Sequence, residues 1–140
     1  MSNDDVTCKS ACHDLMMNLG WALDRNASGE GAELFADGGG IMPPVGDKLE
    51  TDVRSFLAKR SADITTHHIV TNVVIRQIDP TTAEGRAYVM VYRAPTKPDA
   101  LPRPLPQSPQ GAGLWLAQFR KTAQGWRISR FETAPRLAPA

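Results

Sequence analysis

The sequence is poor in cysteine and in net charge, and these shortages exclude several classes of protein. Lysine and arginine (16) nearly balance aspartate and glutamate (15), and both signs are scattered along the 140 residues. This pattern argues against nucleic acid or an anionic membrane as the main partner. No apolar run approaches the roughly 18 residues of a membrane span, and the first residues are acidic where a secretory signal would be basic. We therefore expect one cytoplasmic domain, long enough for a hydrophobic core.

The two cysteines, Cys8 and Cys12, are too few for a structural zinc site. On a helix their thiols would share a face, but no further cysteine completes the set and two of the three histidines lie far along the chain. The glycine run at 38–40 lacks the Lys-Ser/Thr of a phosphate loop and the spacing of a dinucleotide fingerprint. We expect buried free thiols, no bound metal and no cofactor.

The richest stretch of the sequence is 65–75, which is dense in β-branched residues and predicts a central strand. Strict alternation would place His68, Val70, Asn72 and Val74 on one face of this strand. A histidine and an asparagine on an otherwise apolar face are typical of the lining of a small-molecule pocket. The alternative is a core histidine whose ring is satisfied by a hydrogen bond.

The first half of the chain predicts three helices, at 5–25, 29–35 and 48–60, from the spacing of apolar residues. Near the end of the first helix, Trp21 and Asp24 are three residues apart and are therefore neighbours on its surface. An aspartate at this end opposes the helix dipole, which suggests a purpose other than stability. The alternative is a solvated carboxylate.

The second half predicts long strands at 65–78, 83–94, 114–122 and 126–133, after a short strand at 41–42. Short turns between long strands require antiparallel pairing. The result is an α+β domain with a curved, mostly antiparallel sheet wrapped around about three helices. We expect one core built from Leu15, Leu19, Leu23, Phe35, Phe56, Leu57, Ile69 or Val70, Val74, Val89, Val91 and Ile128.

A proline-rich insertion at about 95–113 interrupts the strands, with six prolines between residues 94 and 113. A link of this length without regular structure is usually a functional or a mobile loop. We expect a stiff exposed loop over one end of the sheet; a polyproline ligand for a partner domain is the alternative.

Five short motifs in this order resemble the SnoaL-like branch of the nuclear transport factor 2-like superfamily, over nearly the whole chain. They are Trp21-Ala22-Leu23-Asp24-Arg25, Leu34-Phe35-Ala36-Asp37, Val53-Arg54-Ser55-Phe56-Leu57, His68-Ile69-Val70-Thr71-Asn72 and Gly125-Trp126-Arg127-Ile128. The resemblance implies a cone in which a bent sheet encloses helices and leaves a hydrophobic pocket. Members of the superfamily include scytalone dehydratase-like lyases, polyketide cyclases, ketosteroid isomerase-like enzymes and small subunits of ring-hydroxylating dioxygenases.

The resemblance also implies site residues. Dehydratase-like members line the pocket with an aspartate late in the first helix and a histidine on the central strand, positions that Asp24 and His68 match. Asn72 matches the asparagine of the family pattern His-x-x-x-Asn. The chain departs from the family at Leu19, where a tyrosine is common, and at Ala27, where a second aspartate is common. Two further departures are His67 in place of an arginine before the strand histidine, and Ala117 or Gln118 in place of an acidic residue.

Two functions remain open from the sequence. The first is a cofactor-independent lyase or isomerase acting on a small, mostly apolar, oxygenated molecule. In it His68 transfers a proton, Asp24 orients it, and Asn72 hydrogen-bonds a carbonyl or enolate. Trp21, Val70, Tyr88 and Tyr92 complete the expected substrate site. The second is a non-catalytic small-molecule-binding or subunit-assembly module, which the missing family acids favour.

We also expect a homodimer, because both faces of several strands are apolar while helices can cover only one of them. Trp115, Phe119 or Phe131 would supply the contact on the outer face of the sheet.

Overall fold

A computed structural model describes residues 2–96, 101–102 and 104–140 of the chain. Within these residues, three helices and five strands follow one another. They are α1 (Asn3–Asp24), α2 (Ser28–Glu33), β1 (Phe35–Met42), α3 (Val53–Ala58), β2 (Ile64–Asp79), β3 (Thr82–Pro95), β4 (Gly111–Thr122) and β5 (Gly125–Leu137).

The five strands form one open sheet in the order β1-β5-β4-β3-β2. The pairs β2–β3, β3–β4 and β4–β5 are antiparallel, whereas β1 joins the far edge parallel to β5. The predicted α+β fold with a mostly antiparallel sheet is thereby confirmed. Because β1 and β2 are the two edges, β2 pairs with one neighbour only, and α1 packs against it.

Helix α1 carries the largest buried face of the three helices. Ser2 caps its start by accepting a hydrogen bond from the backbone N–H of Asp5 at 3.1 Å. Cys8 and Cys12 lie fully buried on this face as free thiols, as predicted, and burial raises the pKa of both. No helix in the described part of the chain has the length and hydropathy needed to cross a membrane.

Strand β1 is longer than the sequence predicted, because it includes the glycine run and begins at Phe35, which we had assigned to the second helix. Glycine has low strand propensity, so the run gave no strand signal. A Cβ on Gly39 would lie 2.8 Å from the carbonyl oxygen of Ile128, and one on Gly40 would lie 2.7 Å from that of Glu50. The glycines therefore allow a close approach between backbones, which is a structural role unrelated to phosphate binding.

A β-bulge in β2 shows that one prediction for the central strand is wrong: His68, Val70, Asn72 and Val74 do not share one face. The register against β3 shifts between Thr71 and Val74, and Asn72 adopts a left-handed φ of 56°. Up to Val70 the even-numbered residues face the helices, whereas beyond the bulge the odd-numbered ones do. Val74 is consequently 50% exposed and Ile75 is buried, the reverse of the expected alternation.

The core is a single cluster between the sheet and α1. Of the predicted core, the buried members are Leu15, Leu19, Phe35, Leu57, Val89 and Ile128. Leu23, Phe56, Val70 and Val91 are partly buried against them. The expectation that Trp115, Phe119 or Phe131 lies on the outer face is wrong. All three are buried: Trp115 and Phe119 are on the odd-numbered, inward face of β4, and Phe131 is an inward residue of β5.

The link between β3 and β4 is shorter than predicted, since β3 continues to Pro95 and β4 begins at Gly111. The backbone N–H of Gln110 donates to the carbonyl of Val91 at 2.6 Å and so closes the end of the link. Residues 97–100 and 103, including Pro98, lie outside the described residues. For this middle part of the link, the expected stiff loop therefore stays a prediction.

Candidate active site

Asp24 and His68 come into contact where the end of α1 meets β2. The ring Nδ1 of His68 lies 2.6 Å from Oδ1 of Asp24, and the backbone N–H of His68 donates to Oδ2 at 3.0 Å. Thr66, two residues earlier on the same strand face, donates its hydroxyl to Oδ1 at 2.9 Å. The carboxylate is thus held by three donors. Asp24 lies at the C-terminal end of α1, where the helix dipole disfavours a negative charge, and these bonds to the neighbouring strand explain why an aspartate is found there.

Electrostatics favour the ionised form of Asp24. Burial raises the pKa of this carboxyl, but the hydrogen bonds from the ring and backbone of His68, its charge, and the bond from Thr66 outweigh burial. The pKa of Asp24 is therefore held below its usual range. An ionised carboxylate can only accept, so His68 carries a proton on Nδ1 and its neutral form presents an unprotonated Nε2.

Arg60, just after α3, extends the same hydrogen-bond chain. Its Nη2 donates to the hydroxyl of Thr66 at 3.3 Å, which gives the sequence Arg60–Thr66–Asp24–His68. Burial lowers the pKa of Arg60, and the nearby Arg93 lowers it further, while the charge of Asp24 raises it. Within the described residues, the buried Nε of Arg60 has no hydrogen-bond partner.

His68 and Thr66 line a cavity of about 590 Å³ on the inner side of the sheet, hereafter the inner cavity. Its walls come from the end of α3, from β2 and from the facing ends of β3, β4 and β5. They include Pro44, Arg60, Ser61, Ile64, Val89, Val91, Arg93, Gln110, Gly111, Ala112, Gly113, Thr133, Pro135, Leu137 and Ala138. Since Nδ1 of His68 is occupied by Asp24, Nε2 is the nitrogen left to meet a ligand.

Trp115 packs against the imidazole of His68. Its ring centroid lies 5.7 Å from that of His68 at an interplanar angle of 41°. On its other side Trp115 makes an edge-to-face contact with Phe131 at 5.0 Å. These aromatic contacts and the bond to Asp24 fix the orientation of His68, whose side chain is only 9% exposed.

Several residues predicted for the site lie elsewhere. Asn72 is exposed in the β2 bulge, so the strand alternation that was to align it with His68 does not hold. Tyr88 and Tyr92 alternate with Val89 and Val91, which line the inner cavity, and therefore project from the opposite face of β3. Tyr88 is 57% exposed there.

Asp24, Trp21 and Val70 line a second groove of about 380 Å³ between α1 and β2. His68 and Thr66 border both this groove and the inner cavity. Asp24 and His68 thus share this groove, as expected. Of the two, only His68 also lines the inner cavity.

Sequence reasoning missed Arg60, Thr66, Arg93 and Trp115. Thr66 had a signal, because it precedes His68 by two residues on a strand and so shares its face. Arg93 lies on the face of β3 that also carries Val91, but nothing in the pattern told which face was inward. Arg60 had no local signal, since it reaches the site through the packing of α3 against the sheet.

The sequence profile of the SnoaL-like domain matches residues 4–132. The chain belongs to the SnoaL-like family. A search of the curated proteins finds no significant relative of it.

Solved structures share the fold at low sequence identity. A candidate scytalone dehydratase from Novosphingobium aromaticivorans is 21% identical with a TM-score of 0.80, over 99% of this chain and 91% of that one. Hexachlorocyclohexane dehydrochlorinase LinA-type3 from Novosphingobium barchaimii is 14% identical with a TM-score of 0.77, over 97% and 91%. An NTF2-like protein with a cystatin-like fold from N. aromaticivorans is 19% identical with a TM-score of 0.73, over 93% and 82%. At these identities the similarity shows the fold and leaves activity open.

Proposed function

We propose that this SnoaL-like protein is a cofactor-independent lyase or isomerase, of dehydratase or cyclase type, acting on a small, mostly apolar, oxygenated molecule in the inner cavity. The observation that carries the proposal is the 2.6 Å contact between Nδ1 of His68 and the Asp24 carboxylate. It leaves Nε2 as the proton acceptor beside the cavity.

The proposed chemistry is a proton transfer that needs no redox partner. Nε2 of His68 removes a proton from a carbon next to a substrate carbonyl, and a carbon–carbon double bond forms as a neighbouring carbon–oxygen bond breaks. The leaving oxygen takes the proton back from the imidazolium and departs as water. Return of the proton to a different carbon, without loss of the oxygen, would give an isomerisation instead.

Asp24 is the positioning residue in this scheme. Its carboxylate stabilises the imidazolium that forms during the transfer and holds the ring in the productive tautomer. Its three donors keep the carboxylate ionised, because protonation would break the bonds that it accepts. Trp115 limits tilting of the ring.

The walls of the inner cavity suit an apolar substrate body. Val89, Val91 and Ile64 supply hydrocarbon surface, and the volume of about 590 Å³ is in the range of small-molecule sites. Two relatives of the same fold are named for eliminations, one as a dehydratase and one as a dehydrochlorinase. Both names are consistent with proton abstraction followed by loss of a leaving group.

The test is turnover of a panel of small cyclic β-hydroxy ketones, followed by proton NMR. We expect the wild-type protein to eliminate water from at least one panel member, and His68→Gln to lower the rate by about 10²- to 10⁴-fold, the usual contribution of general acid–base catalysis. His67→Gln is the matched control, since this neighbouring histidine is exposed on the other face of β2. It should leave the rate unchanged.

Full activity in His68→Gln would contradict the proposal. Tight binding of the ketones without any turnover would support a binding module of the same fold instead.

A further inference from the structure

The inner cavity contains two arginines whose charge the proposed proton transfer does not use. Arg60 and Arg93 both line it, and among the described lining residues there is no aspartate or glutamate. Asp24, behind His68, offsets one of the two positive charges. With His68 neutral, the site therefore holds a net charge of about one positive unit.

Arg60 has more donors than the protein satisfies. Its guanidinium carries five N–H groups, of which Nη2 bonds Thr66 at 3.3 Å. The buried Nε lacks a partner among the described residues, although buried polar groups are normally paired. Burial of this guanidinium carries a desolvation cost, and an anionic oxygen in the cavity would offset it.

We propose that the substrate of this site carries a carboxylate, bound by Arg60 and Arg93, with its apolar body against Val89 and Val91. This inference rests on the proposed function in taking the inner cavity as the substrate site. A planar guanidinium matches the two oxygens of a carboxylate. A monoanion also fits the single uncompensated charge.

The position of the anion site relates it to the proton-transfer group. Arg60 and His68 are joined through Thr66 and Asp24, so a carboxylate on Arg60 fixes the substrate at a set distance from Nε2. Such anchoring orients the reacting carbon, which is how binding of a remote group assists catalysis.

The test compares 2-naphthoate with 2-naphthamide, which have the same ring system and differ in charge, by calorimetric titration of the wild-type protein. We expect naphthoate to bind about ten- to a hundredfold more tightly, as for hydrogen bonds to a charged group. Arg60→Gln and Arg93→Gln should each remove most of this preference. Arg86→Gln is the matched control, since Arg86 lies on β3 like Arg93 but on the outer face, and it should keep the preference.

Equal binding of the two probes by the wild-type protein would overturn the inference, and so would a preference retained in either arginine variant. If Arg60→Gln lowers the melting temperature but leaves the preference intact, Arg60 serves only to fasten α3 to β2. Should Arg60→Gln fail to fold, Arg60→Lys keeps the charge but loses the planar contact and should lose part of the preference. Calorimetry reports binding alone, so its outcome is separate from the turnover test of His68.

Discussion

Asp24 is the residue on which the candidate site depends most. It joins the end of α1 to β2 by accepting from the backbone and ring of His68 and from the hydroxyl of Thr66. Its side chain is 16% exposed, so solvent screens these bonds little. The same contacts that orient the imidazole therefore also stabilise the fold.

The stability provided by Asp24 should depend on pH. Because its pKa is lower in the folded protein than in the unfolded chain, the unfolded state binds the proton more readily. The contribution is fully present above the unfolded pKa of about 4 and is lost as the pH falls through the folded pKa. We expect Asp24→Asn to lower the free energy of unfolding by about 1–3 kcal/mol at neutral pH. The difference in free energy of unfolding between the wild type and Asp24→Asn should become smaller below about pH 4, as measured by urea denaturation.

Asp47→Asn supplies the control, because Asp47 is exposed and no hydrogen bond to its side chain is found in the described residues. Its effect should be small at every pH. A difference between wild type and Asp24→Asn that stays constant down to the most acid condition would refute the linkage.

The sequence predicted part of this site and missed the rest for a physical reason. Asp24 and His68 stand out in the sequence because a carboxylate opposes a helix dipole and a histidine interrupts an apolar strand face. Their catalytic role stays a prediction. Arg60 and Trp115 come from distant segments, and only the tertiary fold brings them to the site, Arg60 through its hydrogen bond to Thr66 and Trp115 through its ring contact with His68.

The bulge at Asn72 is the feature of β2 that alternation could not predict. The β-branched residues on both sides of it fit a strand in either register, so the hydrophobic pattern gave no sign of a shift. The one local signal is asparagine itself, which tolerates the left-handed conformation better than other residues with a side chain.

The effect of substitutions at Asn72 on stability should therefore depend on how readily the new residue adopts a positive φ. We expect Asn72→Gly to leave stability unchanged or to raise it slightly, since glycine adopts a φ of 56° without strain. Asn72→Val should cost about 1–3 kcal/mol, because a β-branched residue is disfavoured there. Thermal unfolding of both variants measures this, with Thr71→Val as the control on the regular part of the strand. Equal stability of the glycine and valine variants would contradict the prediction, because it would mean that the bulge rearranges and removes the strain at this position.

The whole fold was more predictable than its details, because helix and strand periodicity extends over long segments. The helices and the long antiparallel strands were expected in the right order. The sequence predicted edge strand β1 over residues 41–42 only, because Gly38, Gly39 and Gly40 have no side chains that would indicate a strand. The inward face of β3 was undecided, and that of β4 was predicted wrongly, since Trp115 and Phe119 were expected on the outer face. Ala83, Gly85 and Ala87 form the inward face of β3 because helix α1 packs closely there, with Met16 beside Gly85.

The outer face of the sheet should form a homodimer contact, through residues other than the aromatic ones first expected. Ile69, Tyr88, Met90 and Leu137 are exposed together and line an apolar groove of about 340 Å³. We expect light scattering at micromolar concentration to give about twice the chain mass of 15.3 kDa. Tyr88→Glu should shift the protein toward the monomer, whereas Gln124→Glu, in the exposed β4–β5 turn, should not.

A wild-type protein that scatters as a particle of one chain would rule out the dimer. A dimer unaffected by Tyr88→Glu would place the contact elsewhere.

The bond between Asp24 and the backbone of His68 has a consequence for association as well. Strand β2 is an edge strand, and its free amide groups are a template on which a strand of another chain can grow. The carboxylate occupies one of these groups, at His68, and α1 covers the backbone around it. The residue that orients the imidazole thus also removes one pairing group from this edge, so selection for the proposed chemistry would at the same time disfavour edge-to-edge association.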